Sequence, residues 1–587
     1  MSTPDPVDVA VIAARLASIC REMGETMLRT SRSPIFSEAR DFTTAVFDAG
    51  PRLLAQTIYI PNIAASTPFA ARAVASRFGA RARRGDLYVL NDPFRGNNHP
   101  PDLNVLAPVF AGDVLAFWVL AKGHQADIGG GGVVGYNPGA RDAWEDALRI
   151  PCLQIAEAGV LREDVVDFIL LNVRARDLVD GDLRCQIGAV NLGVRRLEAL
   201  LASQGMATLA AAVDAILDAT ERRVRASITA IPDGEYRALR AIDHDGVDRS
   251  RSPVVRLALR VTGDAVTFDY TGSDAQVAGY LNSTMPNTTA LSQLALFATH
   301  AIAKDIPFNE GAVRPLTVIA PEGSLLNARE PAATSACTLC TGEAIVEAVW
   351  LALAQVLPEA VPALWARWCA PATAGINPRT GRFFADIHFM SKGGGGALHG
   401  HDGWDHIGTP VTLGGLRAPD PELHELVAPY RLLEYEYLQD SAGAGEWRGG
   451  LGVRYAWEVL ADGIACANFG SGVREATAPC GLAGGAGAAP HELWLDHADG
   501  TREAVDGNSF YRLARGDRFH IHASGGGGYG DPHHRPAARV LADVRDGVVS
   551  PEVARAQYGV AVRTEGAAID WTVDEAQTAA LRGARRQ

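Results

Sequence analysis

Residues 91–132 read NDPFRGNNHPPDLNVLAPVFAGDVLAFWVLAKGHQADIGGGG. Two apolar runs, 103–110 and 114–121, flank Ala111-Gly112-Asp113. That pattern predicts an antiparallel hairpin. Four ligand-type side chains, His99, Asp102, His124 and Asp127, lie just outside the runs. Residue 113 is the midpoint of Asp102 and His124, and equally of His99 and Asp127. Strands paired about that turn gather all four at the open end of the hairpin. A slip of one residue would turn them to the opposite face.

Two imidazoles and a carboxylate converging in this way match the donor set for Zn²⁺, Mn²⁺ or Fe²⁺ with a position left open for water or substrate. Pro100-Pro101 stiffens the segment between His99 and Asp102, which lowers the entropy cost of holding two ligands. The glycines after Asp127 let a substrate approach the backbone closely. The alternative is structural: Asp and His at loop–strand junctions also cap turns. Spacing alone leaves both readings open.

Working outward, residues 7–30 carry Val11, Leu16, Ile19, Met23 and Met27 at helical spacing. Residues 36–56 predict a hairpin about Asp48-Ala-Gly-Pro51, with Asp41 at the entrance of its first strand. Residues 86–91 read as a short strand. A mostly helical region is expected from about 143 to 228. Beyond it, 254–261 and 265–270 form a further hairpin about Thr262-Gly263-Asp264, and helices return at 290–302 and 342–357. From about Ala372 the chain is glycine-rich with short apolar runs, consistent with irregular β structure, and a short helical tail spans 537–558. The class expected is α+β and multi-domain, with mixed helices and largely antiparallel hairpins. Three domains are expected: 1–230 with the metal site, a mixed 231–371, and a glycine-rich 372–587.

The chain has 587 residues, too many for a single core. Hydrophobic content of 47% with 21% charged residues is that of a globular protein. A formal net charge of -14 argues against a nucleic-acid partner. Residues 1–13 have no basic n-region, and no apolar run reaches the ~20 residues of a spanning helix. No membrane partner and a cytoplasmic location are therefore expected, and the 8 scattered cysteines do not resemble a secreted disulfide framework. Lysine occurs only at 122, 304 and 392, so no GxxxxGK[ST] phosphate loop exists. Any ATP handled through such a loop must be bound by another chain.

Residues 91–110 followed by GHQADIGG at 123–130 resemble the signature of the hydantoinase B and 5-oxoprolinase family, which is also similar to the acetone carboxylase α subunit. Collinear blocks extend the resemblance over most of the chain: 37–56, NVRARDLVDGDLRCQIGAVNLG at 172–193, FNEGAVRPLTVIAPEGSLLN at 308–327, WRGGLGV at 447–453, GGGGYGDP at 525–532 and DVRDGVVSPEVARAQYGV at 543–560. The resemblance implies His99, Asp102 and His124 as ligands of a divalent metal, with Asp41 of the ARDF block as a fourth. Asp127 would complete the catalytic set by orienting His124.

It also implies a two-chain enzyme. A hydantoinase A-like partner would bind ATP and phosphorylate the substrate, and this chain would complete the ring opening of a hydantoin, 5-oxoproline or lactam in a hetero-oligomer. An ATP-dependent ketone carboxylase of the acetone or acetophenone type is the alternative within the family. A non-catalytic scaffold is the alternative outside it. The sequence departs from the family where members often carry two adjacent histidines, here His124-Gln125, and near Asn62, where a histidine is common.

Three other signals are discounted. HGHDGWDH at 399–406, with His388 nearby, reads as a polar loop. Cys337-Thr-Leu-Cys340 has no second pair and reads as buried apolar thiols. Residues 525–530 read as a structural turn, and no G-x-S-x-G elbow occurs.

Overall fold

A computed structural model describes residues 5–564 and 571–583. Its N-terminal part is built on a seven-stranded antiparallel sheet, in the order β2-β1-β5-β4-β3-β6-β7. The strands are β1 (Phe42–Asp48), β2 (Leu53–Gln56), β3 (Leu87–Leu90), β4 (Asp102–Ala111), β5 (Val114–His124), β6 (Leu153–Glu157) and β7 (Val160–Leu161). The hairpin predicted at 103–121 is its centre. Asp102 pairs with His124 and Leu103 with Gly123, so the register follows the symmetry about residue 113. The turn is two residues, Gly112-Asp113, because Ala111 pairs with Val114; a bulge near Val109 absorbs the difference.

Alternation divides this sheet between two cores. Val105, Ala107, Val119 and Ala121 face a core shared with the helices Pro6–Thr30 and Arg176–Gln204. Leu106, Trp118 and Leu120 face a second, covered by helix Thr67–Phe78. Gly193 makes the first contact close: a Cβ there would lie 2.6 Å from both Met23 Sδ and Val119 Cγ1. Two expectations for this region change. Val11 is 44% exposed and Ile12 takes its place in the core, and the stretch from 143 to 228 contains β6 and β7 between its helices.

The middle of the chain forms a four-stranded sheet, β11-β10-β9-β8, from β8 (Gly234–Ala241), β9 (Val254–Thr262), β10 (Ala265–Asp269) and β11 (Leu316–Ile319). Its helices are Met285–Phe297 and Gly342–Ala354, the first starting and ending earlier than the apolar pattern suggested. The second is preceded by a π-helical turn, Cys337–Thr341. The stretch Cys337–Ala354 is apolar and long enough to cross a membrane, but 89% of it is buried inside the protein.

The C-terminal part contains two larger sheets and a two-stranded ribbon that pairs Val562–Thr564 with Trp571–Val573. One has the order β13-β12-β16-β19, from β12 (Cys369–Asn377), β13 (Arg382–Ile387), β16 (Ile464–Gly470) and β19 (Ser509–Leu513). The other has the order β14-β15-β20-β17-β18, from β14 (Tyr430–Tyr437), β15 (Val453–Val459), β17 (Glu492–Asp496), β18 (Arg502–Ala504) and β20 (Arg518–His522). Residues of both, including Phe384, Cys466, Tyr455, Trp457 and Phe519, share one core. The 371/372 division falls inside β12. The helical tail is two helices, Ala537–Arg545 and Pro551–Tyr558.

The glycine-rich segments are more ordered than irregular β structure. Gly526 donates to Gly450 O, Gly450 to Gly395 O, Gly443 to Gly526 O and Ala397 to Gly527 O, so separate segments are laced into a backbone lattice. A Cβ on Gly526 would lie 2.0 Å from Gly395 O. Side chains are excluded from this contact by the packing itself.

Candidate metal centre

Three adjacent strand ends assemble the site. Gly123 of β5 pairs with Phe42 of β1 on one side and with Leu103 of β4 on the other. Asp41, His124 and Asp102 therefore follow one another across the sheet, and His124 N donates to Asp41 O at 3.1 Å. Gly123 is required here, since a Cβ would lie 2.3 Å from the Phe36 ring. His99 arrives from the loop before β4. The side chains of His99, Asp102 and His124 are buried, with ligand atoms all within 4.8 Å of one another.

Hydrogen-bond partners fix the roles of the ring nitrogens. His99 Nδ1 lies 2.8 Å from Ser335 O, and His124 Nε2 makes a longer contact, 3.4 Å, with Val134 O. A carbonyl only accepts, so each of these nitrogens carries its proton. The opposite nitrogens, His99 Nε2 and His124 Nδ1, then present lone pairs to Asp102 Oδ1 at 2.8 and 3.5 Å. Two lone pairs and a carboxylate oxygen facing one another in a buried space require positive charge between them, supplied by extra protons or by one divalent cation. The other oxygen, Asp102 Oδ2, accepts from Asn98 Nδ2 at 2.7 Å and lies 3.8 Å from Lys122 Nζ. Oδ1 is thereby left as the donor.

Burial alone would raise the Asp102 carboxyl; His99, His124 and Lys122 outweigh it and hold the group well below its usual range. Burial lowers Lys122 to about 8, against the pull of Asp102. Asp41 stands beside the three-residue cluster and lines the same cavity. It is half-buried, yet burial pushes its carboxyl up to about 7, with His124 opposing and Asp102 reinforcing the rise.

The cavity measures about 30 Å³ and is lined by Asp41, Asn62, His99, His124, Tyr136, Thr338 and Thr412, with mainly apolar residues completing the wall. That volume holds about one or two waters. Tyr136 is clamped by Phe469, the ring centroids 3.9 Å apart. Thr338 comes from the π-turn, and its Oγ1 lies 3.3 Å from His99 Nδ1.

The structure separates Asp127 from the other three. Its carboxylate accepts from Gly129 N at 3.1 Å, from Ala175 N at 3.2 Å, from the Arg174 backbone N–H and from the Arg174 guanidinium at 2.8 Å. These bonds join the glycine loop to the start of helix Arg176–Gln204, and the partner that orients His124 is Val134 O. Gln125 also points away, donating to Gln186 Oε1 at 3.1 Å. Asn62, by contrast, does line the cavity.

Sequence reasoning missed Ser335 and the group that fixes it. Asp146 Oδ2 accepts from Thr334 N and Ser335 N at 2.7 and 2.9 Å, and Oδ1 accepts from Ser335 Oγ at 2.5 Å. Nothing in local spacing joins residues 146, 335 and 99. Lys122 did leave a signal, as a lysine inside an apolar strand of a chain with three.

A second group, Asp386, His388 and His424, also has ligand atoms within 4.8 Å of one another. His388 belongs to it and not to the 399–406 stretch. There Asp402 accepts from Arg535 and Arg539, and Asp405 from Arg448, as expected of an anchoring polar loop. Cys337 and Cys340 are buried, and burial raises both thiols well above their ordinary range.

Comparison with known proteins agrees with this architecture. The family described as Hydantoinase B/oxoprolinase matches residues 5–532. The beta chain of the caprolactamase of Pseudomonas jessenii is 36% identical over 589 residues, covering 100% of both chains. The crystal structure of that ATP-dependent caprolactamase has a TM-score of 0.91, covering 99% of this chain and 100% of its own. The B component of a putative D-/L-hydantoinase of Pseudomonas sp. (strain NS671) is 29% identical, covering 97% of each chain. Nucleotide-free acetone carboxylase shares the fold, with a TM-score of 0.89 at 22% identity over 99% of this chain and 83% of that one.

Proposed function

The chain belongs to the hydantoinase B/oxoprolinase family, and from that premise we propose that it is the metal-bearing component of an ATP-dependent cyclic amide hydrolase. Its substrate class is a lactam, hydantoin or 5-oxoproline ring. The ATP, for which this chain has no phosphate loop, is held by a hydantoinase A-like partner. The observation that carries the reading is the convergence of two histidine lone pairs on Asp102 Oδ1, each ring held from behind by a backbone carbonyl. Ligand histidines in metal sites are oriented in this way.

His99, Asp102 and His124 would hold the cation, with Asp41 within the same cavity as a fourth donor. When bound, a divalent ion supplies Lewis acidity toward a carbonyl and lowers the pKa of bound water. The chain's own contribution is orientation and exclusion of water. Ser335 O and Val134 O fix the rings, Asn98 and Lys122 fix the far oxygen of Asp102, and a cavity this small excludes bulk solvent. ATP is needed because a resonance-stabilised amide resists attack by water near neutral pH. A cytoplasmic location belongs to the same reading and agrees with cysteines that are all free.

The test uses the chain purified with its A-type partner. ATP hydrolysis should depend on an added lactam, hydantoin or 5-oxoproline, and stoichiometric divalent metal should accompany this chain. Turnover that requires a ketone and bicarbonate instead would replace the hydrolase by a carboxylase. Absence of bound metal, with full activity in His99→Ala, would leave only the scaffold reading.

A further inference from the structure

The cavity at the metal centre is too small for the substrate it serves. A lactam ring does not fit in the cavity's about 30 Å³ as it stands, which points to an adjoining space where the substrate is first received. One such space shares a wall with the cavity. A cleft of about 290 Å³ lies against the short helix Pro61–Ala65. Pro61, Ala64 and Ala65 face the cleft, whereas Asn62 and Ile63 face the metal cavity. A second segment is divided likewise, with Thr412 in the cavity and Leu413 in the cleft.

The cleft's chemistry is selective. Most of its lining is apolar, including Ile58, Leu294 and the edge-to-face pair Phe297 and Phe308, whose centroids are 5.2 Å apart. Its cation is already engaged: Lys304 Nζ donates to Ala298 O at 3.1 Å and Thr299 O at 2.9 Å, carbonyls at the end of helix Met285–Phe297. The remaining polar group is the carboxamide of Gln56 at the end of β2. Its Oε1 makes a contact of 3.5 Å with Thr67 Oγ1, and among the described residues its Nε2 has no hydrogen-bond partner.

We propose that this cleft is the docking site for the intact cyclic amide, read by Gln56. The proposal rests on the hydrolase reading above. A ring forces its amide into the cis form, which places N–H and C=O on the same edge. A primary carboxamide matches that edge with two reciprocal hydrogen bonds, Nε2–H to the ring carbonyl and the ring N–H to Oε1. An acyclic secondary amide is trans and presents the two groups on opposite edges. A ketone has the acceptor alone. The methylenes of the ring bury against Ile58, Leu294 and the phenylalanines, as ligand sites of mainly apolar lining with few polar groups do.

The experiment measures binding to the full chain without ATP or partner by ligand-observed NMR titration. The probes are ε-caprolactam, N-butylacetamide as the trans control and cyclohexanone as the ketone. Caprolactam should bind most tightly of the three. Gln56→Leu should weaken it by about fivefold to tenfold, the loss of one or two neutral hydrogen bonds, and bring it level with cyclohexanone. Leu413→Trp, which fills the cleft, should abolish binding while bound metal and the folded spectrum stay unchanged. Equal binding of the three probes, caprolactam affinity unmoved in both variants, or no binding of any probe would overturn the cleft. If the complex with its partner still hydrolyses ATP on adding lactam in that case, the hydrolase reading survives without it; if no cyclic amide supports turnover, that reading falls by itself.

Discussion

The His99–Asp102–His124 cluster and the Asp386–His388–His424 cluster have the same composition, and both are buried with ligand atoms within 4.8 Å of one another. Their protons differ. In the first, backbone carbonyls take the outer N–H groups and force two lone pairs toward one carboxylate oxygen. In the second, His388 lies between two hydroxyls, Tyr455 OH at 2.8 Å and Thr373 Oγ1 at 3.1 Å. Hydroxyls donate or accept as required, so a neutral ring is satisfied on both sides. His424 Nδ1 lies 2.9 Å from Asp386 Oδ2, and its Nε2 is unpaired. His388 also stacks on Trp457 at 4.3 Å between the two C-terminal sheets. The two clusters share a composition; the atoms behind each imidazole decide whether positive charge is required between the rings and the carboxylate.

The largest effect that tests this contrast is loss of activity at the first cluster. His99→Ala should reduce bound divalent metal from about one equivalent to a trace and turnover with the partner by a thousandfold or more, on the order expected for losing the metal's role. Elemental analysis showing two equivalents in the native chain would break the contrast. Chelation gives the next effect. Metal at about a hundred times its Kd stabilises by about 3 kcal/mol, so a chelator should lower the unfolding midpoint of the native chain and leave that of His99→Ala unmoved.

His424→Ala should keep the metal content of the native chain yet cost about 2–3 kcal/mol in denaturant unfolding, because Asp386 is left buried without the imidazole beside it. A smaller effect is pH dependence at His388. Burial, with His424 assisting, holds its folded pKa well below 6.5, so the unfolded chain binds the proton more readily. The stability is fully present above about pH 6.5 and is lost as pH falls below it, at up to about 1.4 kcal/mol per pH unit. His388→Gln, which can still bond both hydroxyls, should flatten the unfolding midpoint between about pH 6.5 and 5. The smallest change is expected from Asp127→Asn, whose contacts are with Arg174 and the glycine loop: metal affinity should move by less than about threefold, well under the 10–100-fold typical of a residue that orients a ligand.

Much of the hairpin was legible because period-2 alternation and one turn fix both face and register, and Asp102 opposite His124 follows from counting. Val11 misled because the stripe of the first helix turns by one residue, and only the neighbouring helix selects Ile12. The strands β6 and β7 were hidden since they are short and lie between strong helical patterns. Asp127 was misplaced for a similar reason: the hairpin's symmetry ends with β5 at His124, and beyond it the glycine backbone turns the carboxylate toward Arg174. The glycine lattice left no periodic signal, because its order comes from carbonyls of distant segments.

By itself the sequence determined the central hairpin, the ligand types at its open end and the family, since local alternation and collinear motifs are properties of the chain alone. Only the tertiary structure decided which histidines turn lone pairs toward one carboxylate oxygen. Ser335 lies 236 positions from His99, and Asp146 reaches Ser335 across 189. Proton placement on a buried imidazole is set by whatever the fold places behind it, which no spacing within the motif encodes.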